Sequence, residues 1–223
     1  MSLGRILALL SRHMYLYKRS FARMLEIFYW PFLDLVVWGF ITIYLEKVGM
    51  QVHGAVTFFL GALILWDVLF RAQQGIAVSF LEEMWARNLM NLFASPLTVG
   101  EYLLATMTMS VLKVTAVGSL MMLFAWTFYS YDILQIGFSL LPFILNLVIS
   151  GWIIGVLTTS IIMRFGQQAE VLAWGMVFLF QPISCVFYPL EVLPPVLQSI
   201  AWWVPPAHIF EPRGSILDFS SSS

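Results

Sequence analysis

The chain has 223 residues, 61% of them hydrophobic and 10% charged, with a net charge of −1 and a mean hydropathy of +0.88. A soluble domain carries about 25% charged and 45–50% apolar residues, so this composition excludes a soluble globular protein and points to several membrane passes. The single cysteine, Cys185, excludes an internal disulfide and a multi-cysteine metal site.

Residues 2–23 are amphipathic, with Ile6, Leu7, Leu10, Met14, Leu16 and Phe21 alternating with Arg5, Arg12, Lys18, Arg19 and Arg23. The pattern predicts a helix within residues 1–24 lying at the cytoplasmic membrane interface. It is not a secretory signal, because basic residues recur through it and no small-residue cleavage site follows a short apolar core. A basic cluster beside a membrane helix suits anionic lipid and disfavours nucleic acid as a partner. Five apolar runs follow, at residues 27–45, 56–80, 102–128, 133–163 and 171–187. A spanning helix needs about 20 such residues, so the expected fold class is an all-α polytopic membrane protein with about five transmembrane helices. The second, third and fourth runs exceed one bilayer thickness and must tilt or project. Arg87 and Arg164 fall on the side of the basic N-terminal segment, Lys47 and Arg213 on the other. The positive-inside rule places the N-terminus in the cytoplasm, and five crossings leave the C-terminus outside.

Between the second and third runs stand Glu82, Glu83, Arg87 and Asn88. Met84, Trp85, Leu89 and Leu92 fall on one side of a short predicted helix with exposed charges, which Ala94-Ser95-Pro96 ends. Such a helix either docks into a partner groove or is an ordinary interfacial loop helix. Arg164-Phe165-Gly166-Gln167-Gln168 forms the other short cytoplasmic connection, where Gly166 permits a tight reversal. In the fifth run, Gln181-Pro182 predicts a kink, read either as a hinge or as a static bend. Residues 188–211 hold Pro194-Pro195, Trp202-Trp203 and Pro205-Pro206, and predict a short re-entrant or interfacial helical element outside the membrane, with Trp at headgroup depth. Glu191 opens it, either at an exit or as a solvated turn residue. The serine run at residues 220–223 is a low-complexity tail.

Asp34, Asp67, Arg71 and Lys113 fall inside predicted spans, where an ionised side chain costs about 2.5–3.5 kcal/mol. Asp67 and Arg71 are four apart on one helix and can pair locally. Asp34 lies about 12 Å beyond Glu26, and Lys113 about 18 Å beyond Glu101, at the helical rise. The two meet at similar depth if the first and third spans touch. These charges either line a translocation path or clamp helices together. Gly151 and Gly155 form a small-xxx-small pair suited to close packing within the molecule. No phosphate-binding loop, no H-E-x-x-H and no Ser/His/Asp grouping occurs. His13, His53 and His208 fall in three separate loop or interfacial regions, where a solvated role is expected.

Three stretches stand in a set order and spacing: Glu26-Ile27-Phe28-Tyr29-Trp30-Pro31-Phe32-Leu33-Asp34-Leu35, Asn88-Leu89-Met90-Asn91-Leu92-Phe93-Ala94-Ser95-Pro96-Leu97-Thr98, and Phe187-Tyr188-Pro189-Leu190-Glu191. Together they resemble the permease subunits of ABC-2 type transporters over nearly the whole chain. The resemblance implies one transmembrane domain at residues 1–219. It implies a coupling segment at residues 82–98, with Glu82, Glu83, Arg87 and Asn88 receiving the movement of a separate ATPase subunit and Arg164 as a smaller second contact. It also implies a second permease copy, a substrate path between the two copies, ATP and magnesium held by the ATPase alone, and an amphiphilic substrate: a lipid, a glycan or a drug-like molecule. Such permeases have six spans, and no sixth apolar run is present. Two other classes stay open, a non-transporting scaffold and an ion-coupled secondary transporter. The scaffold would bind no ATPase. The secondary transporter would work without ATP and would carry internal repeats, of which the sequence shows none.

Overall fold

A computed structural model gives the fold, with residues 2–48 and 55–210 described. His53, Arg213, the last residue of the 188–211 element and the serine run lie outside the described residues. Among those described there is no strand, and nine α-helices follow in order. They are α1 (Leu3–Arg19), α2 (Phe21–Lys47), α3 (Ala55–Trp85), α4 (Leu89–Ala94), α5 (Val99–Tyr129), α6 (Leu140–Phe165), α7 (Leu172–Phe180), α8 (Pro195–Ala201) and α9 (Ala207–Phe210).

Among the described residues, three helical stretches are long and apolar enough to cross a membrane: residues Phe28–Leu45 of α2, all of α5, and α6 with its following turn, Leu140–Ala169. Their outward faces carry large exposed apolar side chains such as Phe40, Tyr44, Leu123, Trp126, Leu145 and Ile153. Apolar surface of this extent suits lipid rather than water. The first, third and fourth predicted runs thus appear as candidate spans. The second is the 31-residue α3, about 46 Å long at the helical rise, which packs against α2, α5, α6 and α7. It is the centre of the bundle, buried on nearly every side from Leu60 to Glu83.

The fifth run departs from expectation. α7 is only nine residues long and stops at Phe180. The chain then turns rather than kinks: Ser184 donates both its backbone N–H and its hydroxyl to the Phe180 carbonyl, each at 2.8 Å. Pro182 is exposed and outside any helix. The fourth run is also divided. A three-ten turn at Ile133–Ser139 precedes α6, and Gly137 sits at φ 68° and ψ −145°, a conformation open only to glycine. The element after α7 is a folded cap built from Leu190–Val192, α8 and α9. It closes over a small core of Cys185, Leu193, Ala201 and Ala207 and leaves Trp202 and Trp203 exposed.

Small residues set how closely the helices approach α3. A Cβ on Gly151 would lie 2.6 Å from both the Leu69 carbonyl oxygen and the Ala72 Cβ. On Gly155 it would lie 2.9 Å from the Gln73 carbonyl oxygen. The small-xxx-small pair therefore packs α6 directly on the α3 backbone, as its spacing implies. On the opposite flank Gly75 of α3 meets Ser110 of α5 with no room for a side chain. Replacing Gly151 with Leu is expected to lower the thermal unfolding temperature in detergent, at a cost of about 1–3 kcal/mol. Gly118→Ala is the control, since its added methyl meets nothing within 4 Å. That variant should leave stability unchanged or raise it by about 0.5–1 kcal/mol.

Candidate functional site

The amphipathic N-terminal segment is a helix, α1, but its polar face pairs with the protein itself. α1 runs alongside the first half of α5 in the same direction, with Ser2 at Glu101 and Tyr17 at Lys113. The Ser2 backbone N–H donates to Glu101 Oε1 at 2.6 Å, and the Arg5 guanidinium lies 3.5 Å from the same carboxylate. Glu101 also closes a capping box at the start of α5: the Thr98 N–H donates to Glu101 at 2.9 Å, and the Glu101 N–H donates to the Thr98 hydroxyl at 3.3 Å. One α5 turn therefore anchors the start of α1.

The second anchor is Glu83. It lies inside α3 rather than in an exposed loop, only 1% accessible. Arg12 donates to its Oε2 at 2.8 Å and the Asn88 amide at 2.7 Å, while His13 Nε2 stands 3.4 Å from Oε1. Glu82 is likewise buried, and receives the Tyr17 hydroxyl at 3.2 Å. The expectation of exposed charges here is thus corrected for both glutamates. They lie beyond the predicted span on α3's last turn, and α1 covers them. His13, expected to be solvated, is buried at 2%. α3 then ends in a Schellman motif: the Asn88 N–H returns to the Glu83 carbonyl at 2.9 Å and the Arg87 N–H to Met84 at 3.0 Å. Arg87 occupies the left-handed position at φ 52°. Only after this turn does the short helix begin, as α4. Leu89 and Leu92 face inward and pack with Leu97 and Met84 on the core. Arg87, Met90, Asn91 and Phe93 face outward.

Above the two glutamates lies a cavity of about 620 Å³. A single stripe of α3, from Phe70 and Arg71 through Gln74, Val78 and Glu82 to Trp85, forms its back wall. α2 contributes Trp30 and Asp34, α5 contributes Lys113, α7 contributes Trp174 and Phe178, and α1 contributes Tyr17. The cavity thus gathers Asp34, Arg71 and Lys113, three of the four intramembrane charges expected from sequence. The fourth, Asp67, accepts from Arg71 Nε at 3.1 Å, the local pair that the spacing implies. Lys113 donates to the Tyr17 hydroxyl at 2.6 Å and lies over its ring, 4.4 Å from the centroid. Trp30, Trp85 and Phe178 are exposed at the rim, and Asp34 is exposed too, inside a helix apolar enough to span. The arrangement offers charges of both signs and a carboxamide inside an aromatic frame.

The other expected site residues fall elsewhere. Arg164 is exposed at the end of α6 with its guanidinium 5.7 Å from the Phe165 ring centroid, and Gly166 takes the expected tight turn at φ 70°. The Trp85 indole donates to Glu170 at 3.1 Å, which links this connection to the end of α3. Pro182 and Glu191 lie outside the cavity lining, in the cap region. Tyr17, Arg12 and His13 were not singled out from sequence as site residues. Their signal was the spacing of Leu9, His13 and Tyr17, four apart on one face of α1. Among the described residues no three His, Cys, Asp or Glu side chains are grouped to hold a metal ion. No family model matches the chain, and no curated protein matches it in sequence.

Burial alone would raise the Glu83 pKa, but the contacts from His13, Asn88 and Arg12 outweigh it and hold the carboxyl below its ordinary 4.5. The clamp's contribution is therefore present above about pH 4.5 and is lost as the pH falls through the lowered native value. The unfolding temperature in detergent should drop over that acid range, and Glu83→Gln should shrink the drop. At neutral pH, Glu83→Ala should cost about 2–4 kcal/mol, because it strands a buried imidazole and the guanidinium.

Proposed function

We propose that this chain is the permease subunit of an ATP-driven exporter of ABC-2 type, working as a pair of copies with a separate ATPase docked on each. The observation that carries the reading is the pairing of an outward-opening cavity, charged within and aromatic at its rim, with a short exposed helix at the end of its back wall. An exposed Asp34 beside buried Arg71 is costly against lipid. A second copy facing the rim of Trp30, Trp85 and Phe178 removes that cost and creates a shared path. Mixed charge with aromatic walls suits an amphiphile, a lipid, a glycan or a drug-like molecule. In this reading α2, α3, α5, α6 and the α7 region make five crossings, and the N-terminus is cytoplasmic. ATP and magnesium belong to the partner.

The outward face of α4 takes the coupling role, in place of Glu82 and Glu83. Both ends of α4 are tied to α1: one through Asn88, Glu83 and Arg12, the other through Thr98, Glu101 and Ser2. A push on α4 reaches α1, α3 and α5 together. The mixed charges of the cavity also favour a second reading, an ion-coupled secondary transporter with Asp34, Glu82 and Lys113 as a relay.

Co-purification in detergent with a Walker-motif ATPase of the same genome tests the first reading. A stable complex is expected, weakened at least tenfold by Met90→Asp with Phe93→Asp while the unfolding temperature stays unchanged. Failure of the folded chain to bind any such ATPase would overturn it. Substrate movement in vesicles without ATP would establish the relay.

A further inference from the structure

A second hollow, a groove of about 580 Å³, runs between α1, α2 and α5. Its walls are Leu10 and Met14 of α1, Phe28 of α2, and Met109, Leu112 and Ala116 of α5. Tyr17 and Lys113 line both hollows, so this hydrogen-bonded pair is the partition between them. The two sides differ in charge. The polar cavity includes Asp34 and Glu82, whereas the described residues that line the groove include no acidic side chain and do include Lys18 and Lys113. Lys18 is exposed, and beside it Arg19 sets its guanidinium 4.5 Å from the Tyr15 ring centroid.

We propose that this groove is a binding site for one anionic phospholipid, with an acyl chain along α5 and the phosphate on Lys18. From Met109 to Ala116 the α5 wall rises about 10 Å into a helix apolar enough to span. A hydrocarbon chain matches that wall. Its unbranched, adaptable Met14 and Met109 side chains suit a flexible tail. The volume falls within the range of small-molecule sites, about 300–1,000 Å³. The cationic edge then selects a negative headgroup over a zwitterionic one. The lipid would fasten the outer side of α1, whose inner side is fixed by Glu83 and Glu101. The proposal rests on the membrane reading alone and not on an ATPase partner, so its failure would leave the co-purification result standing.

The test uses the full chain in detergent with added phosphatidylglycerol or phosphatidylcholine of matched chains. Bound lipid is read by native mass spectrometry, and stability by thermal unfolding. Phosphatidylglycerol should bind more tightly and raise the unfolding temperature more. Lys18→Gln should weaken phosphatidylglycerol by about fivefold and leave phosphatidylcholine unchanged, while Lys18→Arg keeps the preference. Ala116→Phe, which fills the groove from an exposed position, should reduce retention of both lipids, with Leu112→Trp as a second blocking variant. Equal binding of the two lipids overturns the proposal. So does a preference that survives Lys18→Gln, or undiminished retention in both blocking variants.

Discussion

The Glu83 carboxylate organises one end of this protein. A charge removed so fully from solvent is tolerable only when it is paired, and the groups around it come from three places in the chain. Arg12 and His13 arrive from α1, Asn88 from the turn into α4, and Glu83 itself closes the last turn of α3. One group thus fixes the position of the N-terminal helix, the end of the central helix and the direction in which the chain leaves it. Glu101 repeats the arrangement at the start of α5 with Ser2, Arg5 and Thr98. Between the two anchors hangs α4, six residues long, held to the core by the partly buried Leu89 and Leu92 alone among its side chains.

The cavity above follows from the same construction. α3 is central, so its polar side chains either bond within the core, as Gln73 and Ser79 do to backbone carbonyls, or lie on the stripe where neighbouring helices part. Arg71 is held by Asp67 one turn away, which orients the guanidinium and offsets part of its desolvation. Tyr17 reaches in from α1 and touches both Glu82 and Lys113, so the clamp and the cavity share a side chain. Displacing α1 would alter the cavity wall as well as the α4 turn. That mechanical link connects α1 directly to the polar space, whose lining includes both Tyr17 and Glu82.

The all-helical character and the three candidate spans were legible because apolar run length is a strong signal. The local Asp67–Arg71 pair and the Gly151/Gly155 contact were legible because both depend on spacing along one helix. What failed depended on tertiary partners. Glu82 and Glu83 look like surface charges until α1 is laid over them, and His13 looks solvated for the same reason. The run at residues 133–163 reads as continuous because hydropathy ignores the left-handed backbone of Gly137. The run at residues 171–187 hides a helix end at Phe180, because Pro182 signals a bend without saying whether the helix resumes. The Thr98-to-Glu101 spacing is itself a capping-box signature legible in the sequence. The gathering of Asp34, Arg71 and Lys113 around one space required the packing of three helices, which spacing foresaw only as a condition.

The glycines that bring α6 and α5 against α3 have a kinematic consequence. α3 is gripped on two flanks by backbone-to-backbone contact, at Gly151 and Gly155 on one side and at Gly75 on the other. Between these points the apolar side chains of the three helices share one core, so α3 can roll or slide only by separating main chains at the glycines and repacking that core. α3, α5 and α6 therefore form a stator. Displacement within the subunit then falls more easily to the parts outside that grip: α1 with α4, the nine-residue α7 with its turn, and α2, held by aromatic stacking of Trp38 on Phe59 and Phe187 and by Tyr129 against Gly39.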